Sequence, residues 1–280
     1  MSVRQLRDGL APFLGVPAGA LDREAALPAF LAFREALERG AVRAATRDEA
    51  GMWNVHVWVK EGLLLGFRLG RLERQGGDPQ PFFDKDTYPV RALTLADQIR
   101  VVPGGSAIRT AAYVAPGVVC MPPMYVNVGA YVGEGTMIDS HALVGTCAQV
   151  GRRVHLSAAA QLGGVIEPPG ALPVIVEDDA FIGGGCGVYE GCIIRAGAVL
   201  SAGVILTRST RVYDLVHERI LTRNAAGVLD IPERAVVIPG SRPASGSFAA
   251  EHGLHVSAPL IVKYRDARTD AATALEEAVR

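Results

Sequence analysis

The sequence MYVNVGAYVGEGTMIDSHALVGTCAQVGRRVHLS, residues 124–157, carries an aliphatic residue at every sixth position. The same spacing runs unbroken from residue 108 to residue 162, and it resumes from residue 176 to residue 212 after a shift of two positions. The repeated residues are Ile108, Val114, Cys120, Val126, Val132, Ile138, Val144, Val150, Leu156, Leu162, Val176, Ile182, Val188, Ile194, Leu200, Leu206 and Val212. Such regularity indicates one repeating structural unit.

A period of six does not suit an α-helix or a simple alternating strand, since either would scatter these residues over several faces. It suits a triangular coil in which each hexad supplies one short strand and one corner, and three hexads close a turn of about 18 residues. Stacked strands then lie ~4.8 Å apart and hydrogen-bond from coil to coil. Glycines directly after the aliphatic residue, such as Gly133, Gly145 and Gly183, suit tight corners. We therefore predict a parallel β-helix.

Two segments interrupt the repeat. Residues 167–173 (EPPGALP) contain the two-position shift and are predicted to form an external loop. Residues 213–230 leave the coil, and the repeat resumes at Ile231 and Val237. Excursions from a rigid scaffold often carry function, although a tolerated surface insertion explains either segment equally well.

Residues 1–97 precede the repeat and have a mixed pattern. Residues 23–43 space apolar side chains at three and four, which predicts an amphipathic helix that stops near Gly40. Residues 53–58 (WNVHVW) and 63–68 (LLLGFR) are interpreted as short strands or buried segments, and residues 74–81 (RQGGDPQP) as a loop. The predicted organisation is an N-terminal α or α+β domain over 1–97, a β-helix domain over 98–245 and a C-terminal extension over 246–280.

Composition narrows the class of protein. The 49% hydrophobic content is ample for a core, and 28 basic against 29 acidic residues give a net charge of −1. Neither sign forms a run, so we expect small-molecule ligands and neither nucleic acid nor a membrane surface as a partner. There is no signal-peptide pattern and no run of ~18 apolar residues, so we expect a cytoplasmic protein. The four cysteines lack the CxxC spacing of zinc sites and are predicted to be reduced and buried.

The quoted stretch resembles the tetrahydrodipicolinate N-succinyltransferase family, within the superfamily of left-handed β-helix acyltransferases. RVVP at 100–103, GGVIEP at 163–168, VEDDAFIG at 176–183 and STRVYD at 209–214 follow the same pattern. In the first hundred residues, so do GAVR at 40–43, VHVWVKEGLLLGFRL at 55–69 and FFDK at 82–85. The resemblance thus spans most of the chain.

This resemblance implies a mainly β, left-handed parallel β-helix enzyme of lysine and diaminopimelate biosynthesis. It implies transfer of succinyl from succinyl-CoA to the amine of ring-opened tetrahydrodipicolinate, giving N-succinyl-2-amino-6-oxopimelate and CoA. It further implies a homotrimer with active sites between adjacent β-helices, no metal and no permanently bound cofactor.

Attack of an amine on a thioester needs a proton acceptor, donors for the developing oxyanion and cations for a dicarboxylate. Asp139 and Arg100 match substrate-binding positions of the family. Asp139 is expected to contact the substrate amine and assist its deprotonation, and Arg100 to pair with a substrate carboxylate. The competing interpretations are a corner aspartate that caps backbone amides and an arginine in a surface ion pair.

Further site residues are expected from the same resemblance. Glu190 is a second catalytic candidate, because better-known members carry an acidic residue where Gly187 stands here, and Glu167 is a substrate-binding candidate. An exposed corner glutamate is the competing interpretation of Glu190. CoA is expected along a groove between coils, at the four small residues Ser157, Gly183, Ala202 and Gly203, although simple coil corners explain each of them. Lys263 and Arg265 are candidates for the nucleotide phosphates or for a solvated charge pair.

Other functions remain open on the sequence alone. The donor could be acetyl-CoA or the acceptor another amino acid, and His141 or His155 could serve as the histidine base that many acetyltransferases of this superfamily use. A γ-type carbonic anhydrase needs three histidines on zinc, and the repeat before residue 213 holds only His141 and His155. A non-catalytic β-helix scaffold predicts no turnover with any acyl-CoA.

Overall fold

The hexad repeat forms a three-sided parallel β-helix in the computed structural model, which describes residues 1–77 and 81–266. In an uninterrupted coil, each two-residue strand stacks on the strand 18 positions away, as Val132 does on Val114 and Val150. The repeated aliphatic side chains point inward, and they form one continuous buried cluster along the coil. The β-helix predicted from the period of six is confirmed.

Each side of the prism is one sheet, in which the strands of successive coils run parallel. The first face holds strands Tyr113–Val114, Tyr131–Val132, Gln149–Val150, Ile175–Val176, Cys192–Ile194 and Leu229–Ile231. The second face holds Arg100–Val101, Val119–Cys120, Met137–Ile138, His155–Leu156, Phe181–Ile182, Val199–Leu200 and Ala235–Ile238, and is extended by Leu260–Tyr264, Val212–Asp214 and Arg219–Leu221. The third face holds Ala107–Ile108, Tyr125–Val126, Leu143–Val144, Gln161–Leu162, Gly187–Val188 and Ile205–Leu206. The chain runs from first to second to third face, so each corner is named by the two faces it joins.

The first interruption is an external loop, as predicted, over residues 163–174. Val150 pairs with Val176, 26 positions later instead of 18, so the insertion is eight residues long. Eight residues equal one hexad of six plus two, so the sequence repeat shows a shift of only two positions. The loop is anchored to the N-terminal part, because Lys60 Nζ donates to Ala171 O at 2.5 Å.

The second interruption begins earlier than the repeat indicates. Ile194 pairs with Ile231 and not with Val212, so the prediction that Val212 continues the coil is wrong. The strand Val212–Asp214 instead pairs with Arg219–Leu221 and Leu260–Tyr264. The Asp214 carboxylate accepts hydrogen bonds from His217 in the hairpin and from Tyr264 in the last strand, and so holds the two together. The predicted resumption at Ile231 and Val237 is confirmed.

The N-terminal part packs on the first face with three helices: α1 (Val3–Leu10), α2 (Arg23–Glu38) and α3 (Val57–Leu69). Two antiparallel pairs accompany them, Ala45–Arg47 with Trp53–Val55 and Leu72–Gln75 with Phe82–Lys85, as do short 3₁₀ turns at Ala11–Phe13, Ala18–Ala20 and Leu95–Asp97. The amphipathic helix predicted over 23–43 is confirmed as α2. Of residues 53–58, Trp53–Val55 form a strand as predicted, whereas residues 57 and 58 begin α3. The predicted loop over 74–81 begins later than expected, since residues 74 and 75 end the strand Leu72–Gln75, and residues 78–80 lie outside the described residues.

Residues 63–68, interpreted as a short strand or a buried segment, are buried or partly buried but belong to α3 and do not form a strand. A brief apolar run does not by itself distinguish a strand from a buried helix. The packing shows the reason for the helix: Gly62 and Gly66, one turn apart, face the rings of Phe33 and Phe30 on α2. A helix brings both glycines to one side, where the two helices approach closely.

The C-terminal part adds a strand pair, Ser241–Pro243 with His255–Ser257, and the short helix α4 (Ser247–Glu251) before Leu260–Tyr264. Residues 267–280 of the predicted extension lie outside the described residues. Cys120, Cys147, Cys186 and Cys192 are buried free thiols, as predicted. Within residues 1–77 and 81–266, no helix has the length and apolar character needed to cross a bilayer.

Asp214 supports a first prediction, on stability against pH. Its buried carboxylate accepts from His217 Nδ1 at 2.9 Å, Tyr264 OH at 2.8 Å and Arg219 Nε at 3.0 Å. Burial alone would raise the pKa of Asp214, but these hydrogen bonds outweigh it and hold the pKa well below its usual range. The stability that the carboxylate contributes is therefore present above its unfolded pKa of about 4 and is lost as pH falls towards the folded pKa.

We expect Asp214→Asn to lower stability at pH 7 by about 2 kcal/mol, because charge-assisted hydrogen bonds are lost. The difference from the unaltered chain should narrow at pH 3, where the native carboxylate has lost part of its advantage. Thermal unfolding at both pH values measures this, with exposed Asp8→Asn on α1 as the control. An equal deficit at pH 7 and pH 3 would contradict the account.

Candidate active site

The corner between the second and third faces aligns Asp139 with Ser157 and Gly183, one residue per coil. The amide N–H of Asp139 donates to Leu156 O at 2.8 Å, that of Ser157 to Ile182 O at 2.9 Å, and that of Gly183 to Leu200 O at 2.8 Å. These bonds place the three residues in a column with a spacing of ~4.8 Å per coil. Two of the four residues predicted to contact CoA therefore share a corner with Asp139.

The turn that follows this column is built from small residues. Ala159, Gly185 and Gly203 have left-handed backbone conformations, with φ of 59°, 65° and 80°. Their N–H groups donate to the neighbouring coil, for example Gly203 N to Gly184 O at 3.0 Å. Ala202 precedes Gly203 in the same turn, so all four predicted CoA residues lie on one corner. The result is a strip of backbone, with little side-chain cover, running away from Asp139.

Gly183 has a structural requirement as well. A Cβ at this position would lie 2.6 Å from both Ala202 N and Leu200 O on the next coil. The corner interpretation therefore explains this glycine without a ligand. For Ser157, Ala202 and Gly203, the only support for CoA contact is their position on the same corner as Asp139.

Asp139 is partly buried, and its two carboxylate oxygens differ. Oδ1 accepts the N–H of Ser140 at 2.8 Å, which is the amide-capping role of the competing interpretation. Oδ2 has no hydrogen-bond partner among the described residues. One oxygen thus fixes the side chain at the corner, and the other is available to a ligand.

Arg100 lies on the same face as Asp139 but two coils away. Its strand pairs with Val119, whose strand pairs in turn with Met137 just before Asp139. The Arg100 side chain is exposed and forms no ion pair with any carboxylate in the described ranges. It is therefore free to bind an anion alongside the second face.

Glu167 and Glu190 do not join this corner. Both are exposed near the opposite edge of the third face, Glu167 in the 163–174 loop and Glu190 in the third–first corner. The sequence did not reveal the position of Tyr189, which directly follows the third-face strand Gly187–Val188. A Cβ on Gly187 would lie 2.7 Å from Tyr189 Cε2 and 3.0 Å from Tyr189 OH, so this ring fills the space that a side chain at position 187 would need.

The remaining candidates are dispersed. His141 is exposed in the turn after Asp139, and the His155 ring lies 5.0 Å from that of Phe181 on the second face. Lys263 is exposed on the last strand, whereas Arg265 Nη1 donates to Asp179 O and Gly197 O at the first–second corner. Arg265 is thus held away from the small-residue strip. No cluster of three His, Cys, Asp or Glu side chains suited to a metal occurs in the described part of the chain.

Comparison with known proteins gives consistent matches. The model described as the N-terminal part of tetrahydrodipicolinate N-succinyltransferase matches residues 20–69, and the one described as the hexapeptide repeat of succinyl-transferase matches residues 173–208. The hexapeptide match agrees with the predicted left-handed β-helix class.

Several curated relatives share the name 2,3,4,5-tetrahydropyridine-2,6-dicarboxylate N-succinyltransferase. The protein from Polynucleobacter asymbioticus is 42% identical over 251 residues, covering 88% of this chain and 86% of its own. Those from Idiomarina loihiensis and Rhodopseudomonas palustris are 41% and 39% identical over 250 residues, each covering 87% of this chain and 85% and 86% of their own.

One solved structure, from Campylobacter jejuni, is described as a candidate 2,3,4,5-tetrahydropyridine-2-carboxylate N-succinyltransferase. It matches 92% of this chain at 16% identity with a TM-score of 0.37, and this chain spans 63% of its length. That level of similarity supports no conclusion about this chain.

Proposed function

The chain belongs to the 2,3,4,5-tetrahydropyridine-2,6-dicarboxylate N-succinyltransferase family, and from this premise we propose that it transfers succinyl from succinyl-CoA to ring-opened tetrahydrodipicolinate. The products are N-succinyl-2-amino-6-oxopimelate and CoA, in the route to diaminopimelate and lysine. The observation that carries the proposal is about 40% identity over most of both chains. The Asp139 corner supports it, since it offers a carboxylate oxygen beside a strip of open backbone.

In the proposed reaction the substrate amine attacks the thioester carbonyl carbon, a C–N bond forms and the C–S bond breaks. Oδ2 of Asp139 accepts a proton from the attacking nitrogen, and the CoA thiolate is protonated as it leaves. Oδ1 stays on the Ser140 amide, which keeps the side chain in place. Arg100 holds a substrate carboxylate through its planar fork.

The co-substrate is a CoA thioester, and we propose no permanently bound cofactor. We place the thioester arm along Ser157, Gly183, Ala202 and Gly203, of which Ala202 and Gly203 are exposed and Gly183 is buried. We further propose a cytoplasmic homotrimer with the site between adjacent β-helices, in which Glu167 and Glu190 reach the site from the neighbouring subunit. This assembly would reconcile their distance from Asp139 within one chain with a role in catalysis and substrate binding.

Arg100 gives a second prediction. Arg100→Lys keeps the charge but removes the two parallel N–H donors, so we expect KM for tetrahydrodipicolinate to rise about tenfold with a smaller change in kcat. Exposed Arg4→Lys on α1 is the matched control and should leave both constants unchanged. Steady-state kinetics at saturating succinyl-CoA measures the effect. A KM within twofold of the unaltered enzyme would remove Arg100 from substrate binding.

The proposed function is tested by identifying the product. Purified protein is incubated with tetrahydrodipicolinate and an equal mixture of succinyl-CoA and acetyl-CoA, and the acylated product is identified by mass spectrometry. The proposal predicts the succinyl adduct as the main product. An acetyl adduct would assign the chain to acetyl transfer, and no adduct with either donor would refute the proposed acceptor.

A further inference from the structure

A cleft of about 320 Å³ lies where the N-terminal part meets the first–second corner. Arg43, Arg47 and Trp53 border it from the N-terminal side, and Tyr131, Arg152 and Asp178 from the β-helix. The second face separates this cleft from the Asp139 corner. The proposed acyl transfer makes no use of any of these residues.

Arg43 is the central cation of the cleft. Its guanidinium carbon lies 3.6 Å from the centre of the Tyr131 ring and 5.7 Å from that of Trp53. Among residues 1–77 and 81–266, only Nε of Arg43 has a hydrogen-bond partner, donating to Gln149 Oε1 at 2.9 Å, and no carboxylate there forms an ion pair with Arg43. Burial lowers the pKa of Arg43, while the negative charge of Asp178 opposes this shift. The two terminal nitrogens are thus stacked, partly desolvated donors without an anion.

The nearest buried acid does not neutralise Arg43. Glu177 accepts from Trp53 Nε1 at 2.8 Å, from Arg195 Nη1 at 3.0 Å and from Ala196 N at 3.2 Å. Arg47 Nε lies 3.7 Å from the same carboxylate, so Glu177 joins the N-terminal part to the β-helix and makes no ion pair with Arg43. Because Glu177 is occupied by other donors, the Arg43 guanidinium is left able to bind a carboxylate from an external ligand.

Asp178 supplies the opposite charge. Oδ1 accepts the backbone N–H of Arg152 at 2.8 Å, and the second oxygen has no partner in the part of the chain that the structure describes. Asp178 acts on Arg43 through its charge without forming an ion pair with it. A cation and an anion thus border one cleft, each with unused hydrogen-bonding groups.

We propose that this cleft binds a small α-amino acid. The ligand carboxylate is held by the terminal nitrogens of Arg43, the ammonium by Asp178, and the side chain lies against the Trp53 ring, because the Tyr131 ring already packs against Arg43 and Tyr113. Arg152 at the rim favours the carboxylate end, whereas Arg47 is already paired with Glu177 at 3.7 Å. The site is separate from the one proposed for acyl transfer, so its occupancy is independent of the identity of the acyl donor.

The test uses the full-length protein and the fluorescence of Trp53. The chain has two tryptophans, so a Trp58→Phe background isolates the indole in the cleft. The probes are L-leucine, L-lysine and L-glutamate, together with 4-methylpentanoate and 3-methylbutylamine, which each lack one charged group of leucine. Calorimetry on the chain without the Trp58 substitution checks the fluorescence result.

We expect at least one of the amino acids to bind, with Arg43→Gln and Asp178→Asn each weakening it at least about tenfold. If leucine binds, the two single-charge analogues should bind at least about tenfold more weakly than leucine. Asp139→Asn should leave this binding unchanged, and Arg43→Gln should retain acyl transfer. Asparagine at 178 keeps an acceptor for the Arg152 amide, so that variant remains informative if Arg43→Gln unfolds.

Three results would overturn the proposal. They are no binding of any of the three amino acids up to about 10 mM, equal binding of leucine and 4-methylpentanoate, and binding that survives Asp178→Asn in a folded protein. None of these outcomes bears on acyl transfer, so failure of this proposal is distinguishable from failure of the proposed function.

Discussion

Asp139→Asn is expected to slow succinyl transfer at least about 100-fold, mainly through kcat, because a positioned general base contributes about 10²- to 10⁴-fold. Asparagine keeps an oxygen that can accept the Ser140 N–H, so the corner should keep its shape. What it loses is an anionic Oδ2 that can take a proton. The measurement is the steady-state rate of CoA release at saturating concentrations of both substrates.

Asp8→Asn, on exposed α1, serves as the control for loss of one carboxylate and should match the unaltered chain. The variant must also keep the thermal midpoint of the unaltered protein, which would show that the corner remains folded. If Asp139→Asn retained a rate within threefold of the unaltered enzyme, Asp139 would be a structural cap and not a catalytic residue.

Gly145→Ala is expected to cause a large loss of stability through the addition of a single methyl group. A Cβ at this position would lie 2.5 Å from Leu162 O and 2.6 Å from Gly163 C, and it would also contact Gly164 N. All three atoms are backbone atoms, at the end of the next coil and the start of the loop that follows it. They cannot move without disturbing the hydrogen bonds from Gly145 N to Leu162 O and from Gly163 N to Val188 O. We expect a destabilisation of about 3 kcal/mol or more and a fall of at least about 5 °C in the thermal midpoint.

The matched control for this substitution is Gly19→Ala, where a Cβ would meet nothing within 4 Å and the backbone φ is not positive. Its midpoint should stay within about 2 °C of the unaltered chain. Thermal unfolding followed by circular dichroism compares the three proteins. A Gly145→Ala protein as stable as the Gly19→Ala control would mean that the coils are less closely stacked than the structure shows.

The β-helix was predictable because side-chain spacing sets its geometry directly. Interior positions every six residues and stacking every 18 follow from one short strand and one corner per hexad, as Val114, Val132 and Val150 illustrate. The same regularity hid the size of the insertion before Ile175. An insertion of eight residues shifts a six-residue repeat by only two positions, so the sequence shows a shift of two and not a loop of eight. Helix α3 was missed because a short apolar run such as LLL fits either a strand or a buried helix.

The domain boundaries at residues 97 and 245 stay a prediction. The hydrophobic cluster of the N-terminal helices includes Ala111, Val128 and Cys147, which belong to β-helix corners. One cluster therefore spans both predicted domains. Sequence pattern locates the change from mixed spacing to hexads, but it does not show how far the two parts share a core.

Prediction of the site was uneven for physical reasons. Ser157 and Gly183 share a corner with Asp139 because they occupy equivalent hexad positions, which the sequence makes visible. The roles of Arg100, Glu167 and Glu190 stay predictions. The Arg43 cleft was missed because its residues come from distant segments, 43–53 and 131–178, that only packing brings together. Tyr189 over Gly187 was equally hidden, although a glycine in place of the family's acidic residue was a signal.

The most direct test of the central claim is the initial rate of CoA release, followed with a thiol reagent, with tetrahydrodipicolinate and either succinyl-CoA or acetyl-CoA. The protein's own thiols should give little background, since burial raises the pKa of Cys120, Cys147 and Cys192 to about 12 and Cys186 is also buried. We predict release that requires the acceptor and is at least about tenfold faster with succinyl-CoA. Release with acetyl-CoA alone, or release that is independent of tetrahydrodipicolinate, would contradict the assignment.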